Sequence, residues 1–290
     1  MKRKKLMKTF VIILCVFFGL CAATLISGFI CNKNLKLHEI KVTSTDLPQS
    51  FEGFRVAHIS DLHNAEFGKD NKRLLKMLEE AEPDIIAITG DIVDCHRTDT
   101  EIAISFVKKA SEIAPCYYVA GNHEARVPEA FETLLAGFEK AGVTVLRNET
   151  ATIAKGEDSI TLIGIDDPDF TVMSYSYDQS GIVDNALKSI TPENEKVFTL
   201  LLSHRPELFE VYKANNIDLT LSGHAHGGQF RLPFVGGLYA PHQWLFPEYD
   251  SGLYTEEGKN LIVSRGIGNS LFPFRLFNPP EVIVAELSSQ

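Results

Sequence analysis

From residue 54 onward, short runs dense in Val and Ile alternate with longer stretches of helical period, and that alternation constrains the fold more than any other feature of the chain. Residues 54–60 read as a buried strand, and 69–81 carry Leu74, Leu75, Met77 and Leu78 at helical spacing before Pro83 stops the pattern. A strand at 85–89, a helix at 100–113, a strand at 116–120 and a helix at 128–140, opened by Pro128 and closed near Gly142, repeat the unit. The rhythm then changes: 143–146, 151–154 and 159–165 read as strands, with Gly156-Glu157-Asp158 as a turn, which suggests a second sheet. A strand at 197–203, a helix at 206–215 and a strand at 219–222 follow, then a long loop rich in Gly, Pro and aromatic residues, and strands at 261–265 and 282–286. The expectation is an α/β fold.

Ahead of that domain lies an uncharged apolar run, residues 9–30, about as long as a helix must be to cross the hydrocarbon of a bilayer. Lys2, Arg3, Lys4, Lys5 and Lys8 precede it, and Lys33 and Lys36 follow, so the positive-inside bias places the N-terminus in the cytoplasm and the bulk of the chain outside. The expected organisation is a basic tip at 1–8, a single-pass anchor at 9–31, a linker at 32–36 and a folded domain at 37–290. A cleaved signal is the competing reading, because Cys21-Ala22-Ala23 resembles a small-residue cleavage site, but the apolar stretch runs past it to Ile30. Cys15, Cys21 and Cys31 lie in or beside this run, which leaves Cys95 and Cys116 as a pair whose spacing settles nothing about pairing. The net charge is −10, and the chain is more acidic still without its tip. With no clustered Lys and Arg in the rest, nucleic acid is a poor partner. An acidic domain can still hold a phosphate where bound cations supply the positive charge.

Five strands in the alternation end in a polar cluster: Asp61-Leu62-His63, Gly90-Asp91, Gly121-Asn122-His123-Glu124, His204, and Gly223-His224-Ala225-His226. Strand exits are where open α/β sheets bind ligands. Carboxylate, imidazole and amide oxygen suit divalent ions such as Mn, Fe and Zn, and no thiolate joins them. Asp61 and His63, two residues apart, can reach one ion, and His224 and His226 repeat the spacing; glycines at 90, 121 and 223 allow close backbone approach. Taken singly, such a residue is more often a turn former or a satisfied polar group. Five clusters in order make the specific signal.

That ordered set resembles the signature of the calcineurin-like metallophosphoesterases over residues 54–290. The resemblance implies a two-sheet sandwich flanked by helices and two divalent transition-metal ions (Mn, Fe or Zn). One ion would take Asp61, His63, Asp91 and His226, and the other Asp91, Asn122, His204 and His224, with Asp91 shared and catalytic for that reason. It further implies that water activated between the ions attacks phosphorus in line, and that His123, a non-ligand, protonates the leaving oxygen. Glu124 stands where Asp is commoner; charge is kept but the arm is longer, so a role in orienting a neighbouring histidine does not carry over directly. Asp94 and Asp166-Asp167 also look family-like, as loop residues that position others, while His58 reads as a core histidine and His38, His96 and His242 fall outside the motifs.

Gly227-Gly228-Gln229, residues 261–270 and Asn278-Pro279-Pro280-Glu281 resemble a membrane-associated bacterial branch of that family, the YaeI- and YkuE-like phosphodiesterases. Some relatives hydrolyse UDP-2,3-diacylglucosamine, so the resemblance implies a phosphodiester or pyrophosphate hydrolase acting on a lipid-linked or cell-envelope substrate. Aromatic and aliphatic residues crowd the loops at 230–246 and 271–277, where they could meet lipid or simply pack against the second sheet. Arg265 and Arg275 could hold a second phosphate. UDP-diacylglucosamine is made on the cytoplasmic side, in conflict with an exported domain; an extracytoplasmic site would favour a phospholipid or another envelope phosphodiester. A phosphoprotein or phosphomonoester phosphatase, and a non-enzymatic scaffold of the same fold, are the alternatives.

Overall fold

In the computed structural model, which describes residues 2–173, 178–191 and 197–289, two six-stranded sheets pack face to face. Residue 1 of the expected tip and residues 174–177, 192–196 and 290 of the expected catalytic domain lie outside the described residues. In chain order the strands are β1 (Lys36–Ser44), β2 (Arg55–Ile59), β3 (Ile85–Thr89), β4 (Cys116–Val119), β5 (Thr144–Val145), β6 (Glu149–Lys155), β7 (Asp158–Gly164), β8 (Thr199–Leu202) and β9 (Leu219–Ser222). Four two-residue pieces follow, β10 (Arg231–Leu232), β11 (Gly236–Gly237), β12 (Tyr239–Ala240) and β13 (Trp244–Leu245), then β14 (Gly252–Glu256), β15 (Lys259–Val263) and β16 (Glu281–Ser289). The helices are α1 (Lys2–Lys33), α2 (Lys72–Glu80), α3 (Thr100–Ala110), α4 (Asn122–Ala125), α5 (Pro128–Lys140), α6 (Ser180–Ile190) and α7 (Phe209–Ala214).

The first sheet has the order β1-β16-β2-β3-β4-β5 and the second β14-β15-β9-β8-β7-β6. β2 to β5 run parallel, as do β7, β8, β9 and β15. Parallel neighbours need crossovers, and α2, α3 and α5 supply them on one side, α6 and α7 on the other. The period of two along each strand then sorts the side chains. Val56, Ile85, Ala87 and Val119 meet Leu162, Leu200, Leu219 and Ile262 between the sheets. Ala57, Ile59, Ile86 and Ile88 face Leu74, Phe106, Leu134 and Phe138 of the outer helices, and Leu201 and Val263 pack on Val183, Leu187 and Phe209 beneath the second sheet. Strands covered on both faces read as the continuous apolar runs seen in the sequence.

The departures from the periodicity reading are local. The helix expected over 69–81 is regular only from Lys72, because Asp70 and Asn71 take left-handed backbone with φ of 54° and 58°. Pro206–Leu208 forms a 3-10 turn ahead of α7. β1 and α6 have no counterpart in the expected elements. β1 is a largely exposed edge strand with a mixed pattern, held by nine residues of parallel pairing to β16, and α6 buries only Val183 and Leu187. α1 runs to Lys33, so just Asn34 and Leu35, the latter buried, separate it from β1. Cys95 and Cys116 are both free thiols.

Candidate metal centre

The exits of β2, β3, β4, β8 and β9 converge, and the glycines make that convergence possible. A Cβ on Gly223 would lie 1.8 Å from Ser60 Oγ and 2.3 Å from Asp61 Oδ2, and one on Gly121 would lie 2.3 Å from Asp91 Oδ1. No side chain fits at either position, so the exits touch through glycine alone. Five residues of the clusters hold left-handed backbone: Asp61 at φ 53°, His63 at 44°, Asp91 at 52°, His224 at 64° and His226 at 49°. Such conformations cost roughly 1–3 kcal/mol each outside glycine and persist where surrounding contacts over-determine them, commonly at functional sites. Here the restraints are visible: Asp61 N–H donates to Gly90 O and His63 N–H to Asp91 O, both at 3.0 Å, and His224 N–H to the Asp61 carboxylate at 3.2 Å.

Turned inward in this way, the side chains form adjoining groups. Asp61, His63 and His226 make one, with His63 Nε2 3.2 Å from His226 Nε2 and His226 Nε2 3.4 Å from Asp61 Oδ1. Asp91, His204 and His224 make the next, with His204 Nε2 3.2 Å from both Asp91 Oδ2 and His224 Nδ1. Asp91 Oδ2 is also 3.7 Å from His63 Nε2, so this carboxylate stands between the two groups. Asn122 Oδ1 is buried and has no hydrogen-bond partner among the described residues. A buried amide oxygen left unpaired costs free energy comparable to a lost hydrogen bond, and a cation would satisfy it. Each ligand atom in these groups is one a divalent cation accepts, so the residues fit such ions.

Charge follows the same logic. Burial alone would raise the Asp91 carboxyl, but His204 and His123 outweigh it and hold the group well below the carboxylate range. Asp61 is held low against burial by His226 and His63. Burial pushes the His226 imidazole down to about 3, while Asp91 overcomes burial at His204 and lifts it to about 10. Two buried ionised carboxylates therefore draw in positive charge, which a proton or a metal ion can provide.

Two partners set the tautomers of key rings. His204 Nδ1 donates to Thr89 O at 2.7 Å, so that in the neutral ring Nε2 is the inward lone pair. At His123 the polarity is reversed: Cys95 N–H donates to Nδ1 at 3.0 Å, so the neutral ring carries its proton on Nε2. That Nε2 points to Ser270 Oγ at 3.3 Å and Asp91 Oδ2 at 3.9 Å, along the wall of a cavity of about 90 Å³ that Asn122, Arg126, His224, Tyr239 and Phe272 also line.

All seven candidate ligands and His123 thus come together. Glu124 orients no imidazole; its carboxylate accepts the N–H groups of Gly121 at 2.7 Å, Asp91 at 2.8 Å and Val93 at 3.1 Å, joining the exits of β3 and β4. Asp94 accepts from His96 N–H and Arg97, Asp166 pairs with Arg147, and His58 lies inside β2 against Thr89 Oγ1 at 2.7 Å. Arg275 does not present a phosphate site. The Arg275 guanidinium is fully buried and donates to Arg265 O, Gly268 O and Asn269 Oδ1, and Arg265 lies against Glu281 at 3.6 Å. Sequence reasoning passed over Arg205, which is buried beside His224 and bonded to Asp167 at 2.6 and 2.8 Å, and His242, whose ring centre lies 5.5 Å from that of His224. Arg205 follows a motif residue directly, which was the available signal; His242 stands alone in the aromatic loop and had none.

The profile of the calcineurin-like phosphoesterase family matches residues 54–228. The uncharacterized metallophosphoesterase YkuE of Bacillus subtilis (strain 168) is 29% identical over 289 residues, covering 94% of this chain and 95% of its own length. Phosphodiesterase YaeI of Escherichia coli (strain K12) is 30% identical over 238 residues, covering 81% and 82%. Among solved structures, TT1561 of Thermus thermophilus aligns with a TM-score of 0.51 at 12% identity over 74% of this chain and 90% of that one, a likeness of fold alone.

Proposed function

The chain belongs to the calcineurin-like phosphoesterase family, whose fold is that of binuclear metal-dependent hydrolases, and from that premise we propose that it hydrolyses a phosphodiester or pyrophosphate bond of a lipid-linked or cell-envelope substrate. Asp61, His63, Asp91 and His226 would hold one divalent cation, and Asp91, Asn122, His204 and His224 a second, with Mn, Fe and Zn suited to this nitrogen and oxygen set. Such a pair, when bound, lowers the pKa of a water and offsets charge on phosphoryl oxygens. Asp91 fixes the spacing of the two ligand groups because its carboxylate faces both. His123 presents Nε2–H to the cavity in a tautomer imposed by Cys95 N–H and donates a hydrogen bond from it to the departing oxygen, offsetting the charge that develops there.

The observation that carries this reading is the shared position of Asp91 between two buried ligand groups, next to a buried Asn122 oxygen without a hydrogen-bond partner among the described residues. The name of the relative YaeI supports a diester over a monoester. α1 is apolar enough to cross a membrane, and the basic residues at its N-terminal end favour a catalytic domain on the extracytoplasmic side. On that side a phospholipid or envelope phosphodiester is the favoured substrate, whereas a cytoplasmic site would favour UDP-2,3-diacylglucosamine. The test is turnover of bis-p-nitrophenyl phosphate with Mn. Asp91→Ala should abolish it, and His123→Ala should lower kcat by roughly 10²–10⁴-fold while metal stays bound. Undiminished turnover by Asp91→Ala would refute the assignment.

A further inference from the structure

Beyond the ligand groups, the mouth of the cavity carries an apolar rim. It is carried by the two loops that reach the cavity through Tyr239, Leu271 and Phe272: Phe234, Trp244 and Phe246 are exposed on the first, and Leu271, Phe272 and Phe277 on the second. The two loops are one unit: Arg231 N–H donates to Leu276 O at 2.9 Å, the Gln229 amide to Phe274 O at 2.9 Å, and the Phe230 ring centre lies 5.5 Å from that of Phe274. The same unit receives the end of α1. The Asn32 amide donates to Pro273 O at 2.6 Å and its oxygen accepts Arg275 N–H at 2.8 Å, while at Gly28 a Cβ would come 2.8 Å from the Phe274 ring. Just before this joint, Leu25, Ile26, Phe29 and Ile30 of α1 are exposed. Tyr239, Leu271 and Phe272 in turn line the cavity with Asp91, Asn122 and His123.

Continuity therefore runs from apolar helix to apolar rim to site. We propose that the rim enters the membrane leaflet that receives the C-terminal end of α1, so that the cavity opens at headgroup level and takes the phosphodiester of an amphiphile lying in that leaflet. This rests on reading α1 as a span and the metal centre as a phosphoesterase site. The chemistry of the rim matches that occupant. Residues 230–246 include one charged side chain, Arg231, which is tied to Asp250 at 3.0 Å. Within 271–277 the charged residue is Arg275, fully buried. Entry into lipid strips water from no free charge at these two places. Trp244 and Tyr239 are of the type that settles at the headgroup boundary. Lys33 and Arg73 outnumber Glu66 in a hollow beside Asn32, at the level where anionic headgroups would lie. A soluble protein partner would also cover aromatic side chains, but nothing would then tie the rim to the end of the anchor.

Trp244 is the single tryptophan of the chain and is 68% exposed, so it reports on the rim by itself. The full chain is reconstituted in phosphatidylcholine–phosphatidylglycerol vesicles with or without dibrominated acyl chains. Bromolipid should remove most of the Trp244 emission, and aqueous acrylamide should quench it little. Emission untouched by bromine and open to acrylamide overturns the proposal in favour of a protein partner or a bare rim. Asp91→Ala should be quenched like the parent, since docking needs no turnover, so loss of quenching and loss of catalysis report on separate readings. Phe234→Ser combined with Phe246→Ser should weaken quenching and slow hydrolysis of hexadecyl p-nitrophenyl phosphate in vesicles by about tenfold, as expected for apolar side chains removed from lipid, with bis-p-nitrophenyl phosphate turned over at the parent rate. An equal loss on both substrates overturns the substrate assignment.

Discussion

His123 and His58 show how the same residue type acquires opposite duties from its hydrogen-bond partners. His123 receives a backbone N–H on Nδ1 and keeps a proton on the cavity side, whereas His58, three residues before Asp61, is wholly buried between the sheets and bonds to a threonine hydroxyl. Burial pushes the His58 imidazole down to about 4 from an ordinary 6.5. Because its folded value lies below its unfolded one, the unfolded chain takes the proton first as the pH falls. The contribution of a neutral His58 is complete above about 6.5 and is lost progressively as the pH drops through about 4, an effect on the order of 3 kcal/mol. His58→Gln should accordingly flatten the fall in stability across that window, read by urea unfolding of the detergent-solubilised chain. A parental pH profile in the variant would show that the ring titrates normally.

Among the elements, the loops leaving β3 and β4 depend on a residue whose type the sequence made legible and whose task it hid. Glu124 was legible as part of Gly-Asn-His-Glu, but the Asp-to-Glu departure from the family pattern left its role open; the longer arm reaches Gly121, Asp91 and Val93 N–H together. An amide at this position offers one acceptor oxygen and sets an NH₂ against a backbone donor. Glu124→Gln should therefore cost about 1–3 kcal/mol and, by loosening Asp91, weaken Mn affinity roughly 10–100-fold. Thermal melts and Mn titrations check both, and an unchanged affinity would mean that Asp91 is placed without this carboxylate. β1 and α6 were illegible for a different reason. An exposed edge strand has no buried face to impose period two, and a helix with two buried residues barely shows a stripe.

At the scale of the whole molecule, two sheets meet so that β2, β3 and β4 of one and β8 and β9 of the other end around a common point. Cations there would bind the folded chain and not the unfolded one, so chelation should lower the melting temperature: at a hundredfold excess over Kd the linkage is about 2.7 kcal/mol, or roughly 5–10 °C for a domain of this size. Calorimetry of the full chain in detergent, with Mn against EDTA, measures the difference, and coincident transitions would count against metal at these residues.

The sequence by itself determined the alternating elements, the apolar run at the N-terminus and the kind of residue at each strand exit, because periodicity and short motifs are carried by neighbouring positions. Only the tertiary structure decided that the Arg275 guanidinium is buried and braces a loop, and that Asn32 at the end of α1 grips Pro273 and Arg275 beside the cavity. Those contacts join positions as far as 241 and 243 residues apart, and local patterns contain no term for the distance between side chains that meet only after two sheets have packed.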